Sequence, residues 1–116
     1  MNGKQFRKIF VVEPAHDLSA LIEFGEDITY VFNRYEQVDD MLSKAQSSLR
    51  EFNPETDAFV PIGRVTACSV AGMVLSKMTG NKPVNFGIYK NGVYRFIKMG
   101  IYQFIKDNAK MQEAEE

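Results

Sequence analysis

The sequence predicts a small α/β domain, a Rossmann-like or flavodoxin-like sandwich with a mostly parallel sheet and a C-terminal antiparallel hairpin. Short apolar runs alternate with helical patterns, an Asn91-Gly92 pair separates two strand-like runs, and no repeat or linker divides the chain. Strands that alternate with helices favour right-handed crossovers and a parallel sheet. A chain of 116 residues has the size of one domain. We place that domain at residues 1–112, followed by an acidic, disordered tail at residues 113–116.

The first strand, at residues 6–13, and a short helix after it are predicted within residues 6–25. Residues 9–12 are an uninterrupted apolar run that ends before Pro14, which is typical of a central strand buried on both faces. Asp17 is placed to cap the helix, and Gly25 is placed to end it.

The second strand and the first long helix follow. Residues 28–32 are rich in β-branched and aromatic side chains, which favours a strand. Asn33 and Glu36 have the spacing of a capping box. Apolar residues then recur at helical spacing over residues 38–52, which predicts an amphipathic helix.

The third strand is predicted at residues 57–62, and a second long helix at residues 66–78, ended by Gly80. This helix is apolar nearly all round, so it must be buried on more than one side. It is therefore a candidate interface for a homodimer.

The C-terminal part predicts a hairpin and a closing helix. Asn-Gly between residues 84–90 and 93–99 is the strongest short hairpin signal, because both residues tolerate the positive φ of a type I′ turn. Apolar spacing over residues 101–109 predicts the closing helix.

Charge is unevenly distributed along the chain. Residues 13–57 carry a net charge of −8, whereas residues 58–110 carry +7. Such asymmetry indicates either a basic binding face or two halves that pair with each other across the fold.

Catalytic and metal-binding residues are few. Cys68 is the single cysteine and lies in an apolar helix, which predicts an inert thiol in a reducing compartment. One histidine and one cysteine without clustered carboxylates do not predict a metal site. We expect no cofactor and a non-enzymatic protein.

The sequence has no apolar segment that is long enough to predict a signal peptide or a membrane span. We therefore expect a cytoplasmic protein that does not enter membranes.

The predicted ligand edge lies at the carboxyl ends of the first and third strands. In open parallel sheets, ligands bind where the strand order reverses. If these strands are neighbours, helix N-termini and the Arg64 charge would suit a phosphate-bearing ligand such as a nucleotide or cyclic nucleotide. The candidate ligand-binding residues are His16, Asp17, Ser19, Gly63, Arg64 and Thr66.

Simpler roles compete for these residues. The loop at Gly63 matches neither the dinucleotide fingerprint nor the Walker loop, and the simpler interpretation is that Gly63 turns the chain. For Asp17 the simpler interpretation is a helix cap in place of a catalytic acid. His16, the single histidine, can work as an acid or base near neutral pH or be an ordinary surface residue.

The hairpin interleaves cations with aromatic side chains, a pattern found where single-stranded nucleic acid is held. The alternative is that the aromatics face the core and the cations protect an edge strand. The candidate residues are Lys90, Tyr94, Arg95, Phe96 and Lys98.

Several short motifs resemble, in the same order, a set of small proteins encoded by tailed bacteriophages. They are His16-Asp17-Leu18-Ser19-Ala20 with Phe24-Gly25, the run at residues 57–63, the helix at Ala67-Cys68 and the strand pair at residues 84–97. The resemblance transfers no catalytic residue and implies a phage product acting in the cytoplasm of the infected cell. We therefore expect a phage-type accessory protein that binds a host or phage macromolecule, with small-ligand binding and single-strand nucleic-acid binding as alternatives.

Overall fold

Five strands and two helices make up the described part of the chain. The computed structural model describes residues 4–14 and 18–100. The strands are β1 (Lys8–Val11), β2 (Asp27–Tyr30), β3 (Asp57–Val60), β4 (Val84–Lys90) and β5 (Val93–Met99); the helices are α1 (Val38–Ser48) and α2 (Val65–Met78). A single 3₁₀ turn, Ser19–Leu21, joins β1 to β2.

The strands form one sheet in the order β2-β1-β3-β4-β5. β1 runs parallel to both β2 and β3, and β3 runs parallel to β4, whereas β5 is antiparallel to β4. The predicted fold class is therefore confirmed. The strand order reverses between β1 and β3, which places the switch point of this small flavodoxin-like sheet between them.

The two faces of the sheet carry separate cores because successive side chains of β1 point to opposite sides. Phe10 and Val12 join the core that contains residues of α1 and α2. Ile9 and Val11 join the core that contains Leu21 of the 3₁₀ turn. The two long helices thus cover one face, and the short β1–β2 connection lies on the other.

The hairpin matches its prediction in both bounds and turn type. β4 and β5 are joined by Asn91 and Gly92, which have φ values of 54° and 80°. Positive φ at both turn residues is the requirement of a type I′ turn, whose twist matches that of the flanking strands.

The end of α2 also follows from its sequence. Gly80 has a φ of 64° just past the last turn. The Gly80 N–H donates to the Lys77 carbonyl at 3.2 Å, and the Asn81 N–H donates to the Ser76 carbonyl at 2.9 Å. These are the two bonds of a Schellman motif.

The predicted helix after β1 is wrong in type. From residue 18 to β2, the described part of this connection, the structure has only the 3₁₀ turn, with Leu18 at its N-terminal cap position. Gly25 passes so close to β1 that an added Cβ would lie 3.1 Å from the Ile9 side chain. The chain must return to the sheet within these few residues, which leaves no room for a longer helix. Asp17, the predicted cap, lies outside the described residues.

The capping box forms a turn instead of a helix start. Glu36 Oε1 accepts the Asn33 N–H at 3.3 Å, as predicted, but α1 begins only at Val38. Arg64 Nη2 donates to the Glu36 carbonyl at 3.0 Å, so the loop before α1 is bonded to the loop after β3.

The remaining element bounds differ slightly from the predictions. β2 and β3 both end two residues earlier than predicted, and α2 begins one residue earlier. The closing helix at residues 101–109 and the acidic tail lie outside the described residues. Within residues 4–14 and 18–100, no helix is both long enough and apolar enough to cross a bilayer.

Candidate functional site

The loops after β1 and β3 open on the same rim of the sheet. The Val12 N–H donates to the Val60 carbonyl at 3.2 Å, and the Glu13 N–H donates to the Ile62 carbonyl at 2.9 Å, which continue the parallel pairing beyond the strands. The prediction that the first and third strands are adjacent and parallel is therefore confirmed. The carboxyl ends of these strands form the site at which a ligand was predicted.

A buried carboxylate occupies the centre of this rim. Glu13 is only 4% exposed. Its Oε1 accepts the backbone N–H of Arg64 at 2.7 Å, while its Oε2 accepts Arg64 Nε at 2.9 Å and Nη2 at 2.5 Å. Arg64 is the N-cap residue of α2. The carboxylate of Glu13 thus occupies the position at the N-terminus of α2 where an anionic ligand would bind.

The ion pair stabilises both charged forms. Hydrogen bonds from the Arg64 side chain lower the pKa of Glu13, although burial of the carboxyl opposes the shift. The pKa of Arg64 is raised by the same hydrogen bonds. The Arg64 charge is therefore balanced inside the protein, and it is not the free cation that the sequence suggested.

Gly63 makes the close approach of Glu13 possible. Its φ is +141°, and a Cβ added there would lie 2.6 Å from Glu13 Oε1 and 2.9 Å from Glu13 Cβ. Residues other than glycine rarely adopt this backbone conformation, and at this position their Cβ would also displace the Glu13 carboxylate. Gly63 thus turns the chain, as the simpler interpretation held, and leaves space for the ion pair.

Of the other predicted ligand residues, the structure describes two. Thr66 is exposed in the first turn of α2, next to the ion pair in sequence, and Ser19 is exposed at the start of the 3₁₀ turn. His16 and Asp17 lie outside the described residues. Their predicted roles stay predictions.

An open groove of about 510 Å³ lies on the rim and includes residues that the sequence analysis missed. Arg34 and Tyr35, from the loop after β2, line it together with the Glu13–Arg64 pair. Tyr35 is 81% exposed, and Arg34 has no ion pair within the described residues. One signal could have found Glu13, Arg34 and Tyr35: each follows directly or closely on a predicted parallel strand, and these strand ends share one edge.

The Cys68 thiol has the properties predicted for it. It is half-buried in α2, and burial, followed by the nearby Glu13 charge, raises its pKa. Its Sγ lies 3.8 Å from the Gly63 carbonyl, to which the thiol donates. A thiol with a raised pKa is a poor nucleophile. Among the described residues no group of three or more histidine, cysteine or carboxylate side chains could hold a metal ion.

The two aromatic residues of β5, Tyr94 and Phe96, pack against the core, whereas Tyr89 of β4 is 46% exposed. Tyr94 is 4% exposed. The Phe96 ring packs against Phe6 and Phe24, with centroid distances of 4.7 and 4.9 Å. Neither side chain is available to stack with a base, so the alternative interpretation of this pattern is confirmed for Tyr94 and Phe96.

The exposed face of the hairpin carries a different set of residues. In the β4–β5 register, Lys90 lies opposite Val93 and Ile88 lies opposite Arg95. These residues and Ile97 share one face, and the aliphatic ones are 37–57% exposed. We call this set the hairpin surface: Ile88, Lys90, Val93, Arg95 and Ile97.

The ion pairs show which half of the chain neutralises which. Arg7 binds Asp57 at 2.7 Å, and Lys8 lies 3.7 Å from both Asp27 and Glu51, so N-terminal cations pair with the acidic half. From residue 58 onward, Arg64 is the only described cation with an ion pair. Pairing between the two halves therefore occurs at Glu13–Arg64 and leaves Lys90, Arg95 and Lys98 uncompensated within the described part of the chain.

In comparisons with known proteins, no family model, curated protein or solved structure matches this chain. The site must therefore be interpreted from its own geometry. That geometry defines a small flavodoxin-like domain with an internally neutralised switch point and a cationic, aliphatic surface on its C-terminal hairpin.

Proposed function

We propose that this chain is a non-enzymatic binding protein that engages another protein through the hairpin surface. The observation that carries the proposal is the placement of Lys90 and Arg95, which have no ion pair to any described residue, among three exposed aliphatic side chains. Contiguous exposed apolar surface with a polar rim is typical of protein interaction sites. The resemblance to small phage proteins supports a host or phage protein in the infected cell's cytoplasm as the partner.

The composition of the hairpin surface favours a protein over a nucleic acid. Binding of single strands without sequence preference depends on aromatic platforms beside cations. Tyr94 and Phe96, which would supply those platforms, are packed in the core. Aliphatic side chains around an arginine instead suit the desolvated centre of a protein interface.

A second candidate function is the binding of a phosphate-bearing small ligand in the rim groove. Arg34, which has no ion pair among the described residues, and the exposed ring of Tyr35 favour it, because together they offer a charge contact and a stacking surface. The buried carboxylate of Glu13 disfavours phosphate beside Arg64. Such a ligand would therefore rely on Arg34 and Tyr35. A homodimer through residues 66–78 also stays a proposal, supported by the exposed Met73 of α2.

The test compares proteins captured by the tagged chain with those captured by two charge-reversal variants. Arg95→Glu changes the hairpin surface, and Lys77→Glu is the matched control, an exposed cation on α2. We expect the wild type and Lys77→Glu to retain a shared partner that Arg95→Glu binds at least about tenfold more weakly, since reversing an interface charge commonly costs more than 1.4 kcal/mol.

Direct binding of the purified partner must reproduce this order. Equal retention by all three proteins would contradict the proposal. Thermal stabilisation by nucleotides that disappears in Arg34→Ala, without any partner lost in Arg95→Glu, would favour the small-ligand function instead.

A further inference from the structure

We infer that the partner binds as an additional strand along the outer edge of β5, through an extended segment in which a carboxylate lies between aliphatic residues. The inference rests on the proposed function and specifies the recognition mode of the hairpin surface. It follows from the backbone geometry of the hairpin, the shape of its edge and the order of its side chains.

The backbone geometry comes from the turn. A two-residue type I′ loop makes Lys90 and Val93 a hydrogen-bonded pair, and such pairs alternate along an antiparallel ladder. Arg95 and Ile97 therefore direct their backbone groups toward β4, opposite Ile88 and Phe86. The N–H and C=O groups of Phe96 and Lys98 point outward. Within the described residues, no backbone hydrogen bond reaches them.

The edge is suited to pairing because it is long and regular. All seven residues of β5 pair with β4 in continuous register, from Lys90 opposite Val93 to Val84 opposite Met99. Unpaired edge groups of this kind are a template for strand addition. The opposite edge of the sheet, β2, has only four residues and begins with Asp27, which lies near Lys8.

The side chains of β5 specify the residues of the added strand. Val93, Arg95 and Ile97 alternate along one face and are all exposed. Residues directly opposite each other on neighbouring strands have Cβ atoms about 5 Å apart. The added strand would therefore place a carboxylate opposite Arg95 and aliphatic residues opposite Val93 and Ile97. On the other face, Lys98 has no ion pair within the described residues and favours a second carboxylate.

Acidic charge is also what the two strands of the hairpin favour. β4 and β5 carry three cations without an ion pair within the described residues (Lys90, Arg95 and Lys98) and no acidic residue. A basic added strand would add like charges beside Arg95, which is destabilising. The occupant is therefore an acidic and aliphatic segment of a partner protein.

The test uses the full chain and synthetic nine-residue peptides in which Val and Glu alternate on one face and Thr occupies the other. One control peptide has Lys in place of Glu, and a second carries N-methyl groups on the amides that would bond to β5. We expect the Glu peptide to bind and the Lys peptide to bind at least about tenfold more weakly. N-methylation is expected to abolish binding, and hydrogen exchange of the Phe96 and Lys98 amides is expected to slow in the complex.

Reversal of the charge at position 95 supplies a control that distinguishes lost binding from misfolding. Arg95→Glu is expected to lose the Glu peptide and to gain the Lys peptide, which a misfolded variant would not do. Binding that survives N-methylation, or leaves the Phe96 and Lys98 amides unprotected, would overturn the added-strand mode. If the added-strand mode fails in this way but capture of the natural partner still depends on Arg95, the proposed function stands and only the added-strand mode is overturned.

Two further outcomes separate the alternatives. Natural-partner capture that does not depend on Arg95 would contradict the proposed function and, with it, this mode of binding. Retention on a single-stranded DNA column that weakens with salt and is lost in Lys90→Glu would overturn the inference in favour of nucleic acid.

Discussion

Glu13 and Arg64 determine the chemistry of the switch point. Their side chains form two charge-assisted bonds across a rim that, in related sheet arrangements, is open to anions. The Glu13 carboxylate also accepts the Arg64 N–H at the start of α2, which satisfies a helix-end donor. One acidic residue therefore provides both a cap and a counter-ion, and the Arg64 charge is balanced without a ligand.

The ion pair leads to a prediction on pH-dependent stability. Glu13→Gln is expected to lower the free energy of unfolding by about 1–3 kcal/mol at neutral pH, because a buried charged acceptor is lost. The pKa of Glu13 is lowered in the folded state, so its contribution is complete above the ordinary glutamate pKa. It declines as the pH falls through the lowered value, and the two proteins should converge in acid.

Urea unfolding at a series of pH values measures this difference. Glu23→Gln is the control, since Glu23 is exposed and has no ion pair within the described residues; it should stay within about 0.5 kcal/mol of the wild type. A difference between wild type and Glu13→Gln that is unchanged from about pH 7 to about pH 3 would show that the ion pair does not stabilise the fold.

At the scale of elements, short-range signals define where strands and helices end. The Asn91-Gly92 turn and the Gly80 cap of α2 both appear where their sequences predict them, because positive φ is a local requirement that few residues meet. The start of α1 was predicted less well. The local Asn33–Glu36 bond exists, yet Arg64, distant in sequence, binds the Glu36 carbonyl.

The turn provides a prediction at this scale. Gly92→Ala should cost about 1–2 kcal/mol, because alanine must adopt the positive φ of the turn while no neighbour closer than 4.0 Å adds a clash. Asn91→Gly should change stability by less than about 0.5 kcal/mol, since glycine adopts the same conformation. Thermal unfolding of both variants measures the difference, and equal effects would argue against a type I′ turn.

For the whole molecule, the sheet order separates a protected centre from two edges. β1 and β3 are paired on both sides and their residues are almost all buried, whereas β2 and β5 are paired on one side within the part of the chain that the structure describes. The same order places Arg95 and Lys98, which have no ion pair within the described residues, on the β5 edge, and it leaves the acidic half beside the N-terminal cations. Stability is therefore expected to depend on the centre of the sheet, and the proposed binding on its β5 edge.

Native-state hydrogen exchange tests this separation. The amides of Phe10, Val11 and Phe59 should exchange only through global unfolding and be the slowest of the chain. The amides of Phe96 and Lys98 on the free edge should exchange faster by several orders of magnitude, since they need no opening reaction. Similar protection at the centre and at the β5 edge would indicate that something already covers the edge.

Sequence information alone was sufficient for the features set by neighbouring residues. Alternation of apolar runs with helical patterns predicts the α/β class, and glycine and asparagine at positive φ predict the hairpin and the end of α2. These signals act over a few residues, so the features that they determine can be predicted without knowledge of the tertiary structure. The inert character predicted for Cys68 likewise follows from the apolar helix around it.

Tertiary structure alone determined which distant residues meet. Glu13 and Arg64 are 51 positions apart, and only the adjacency of β1 and β3 brings them together. Likewise, only the packing of β5 against Phe6 and Phe24 shows that Phe96 faces inward while Val93, Arg95 and Ile97 face outward. The physical reason is that charge pairing and burial depend on the distances between elements in the fold. Local sequence patterns specify where strands and helices form, but they do not specify how far apart these elements lie.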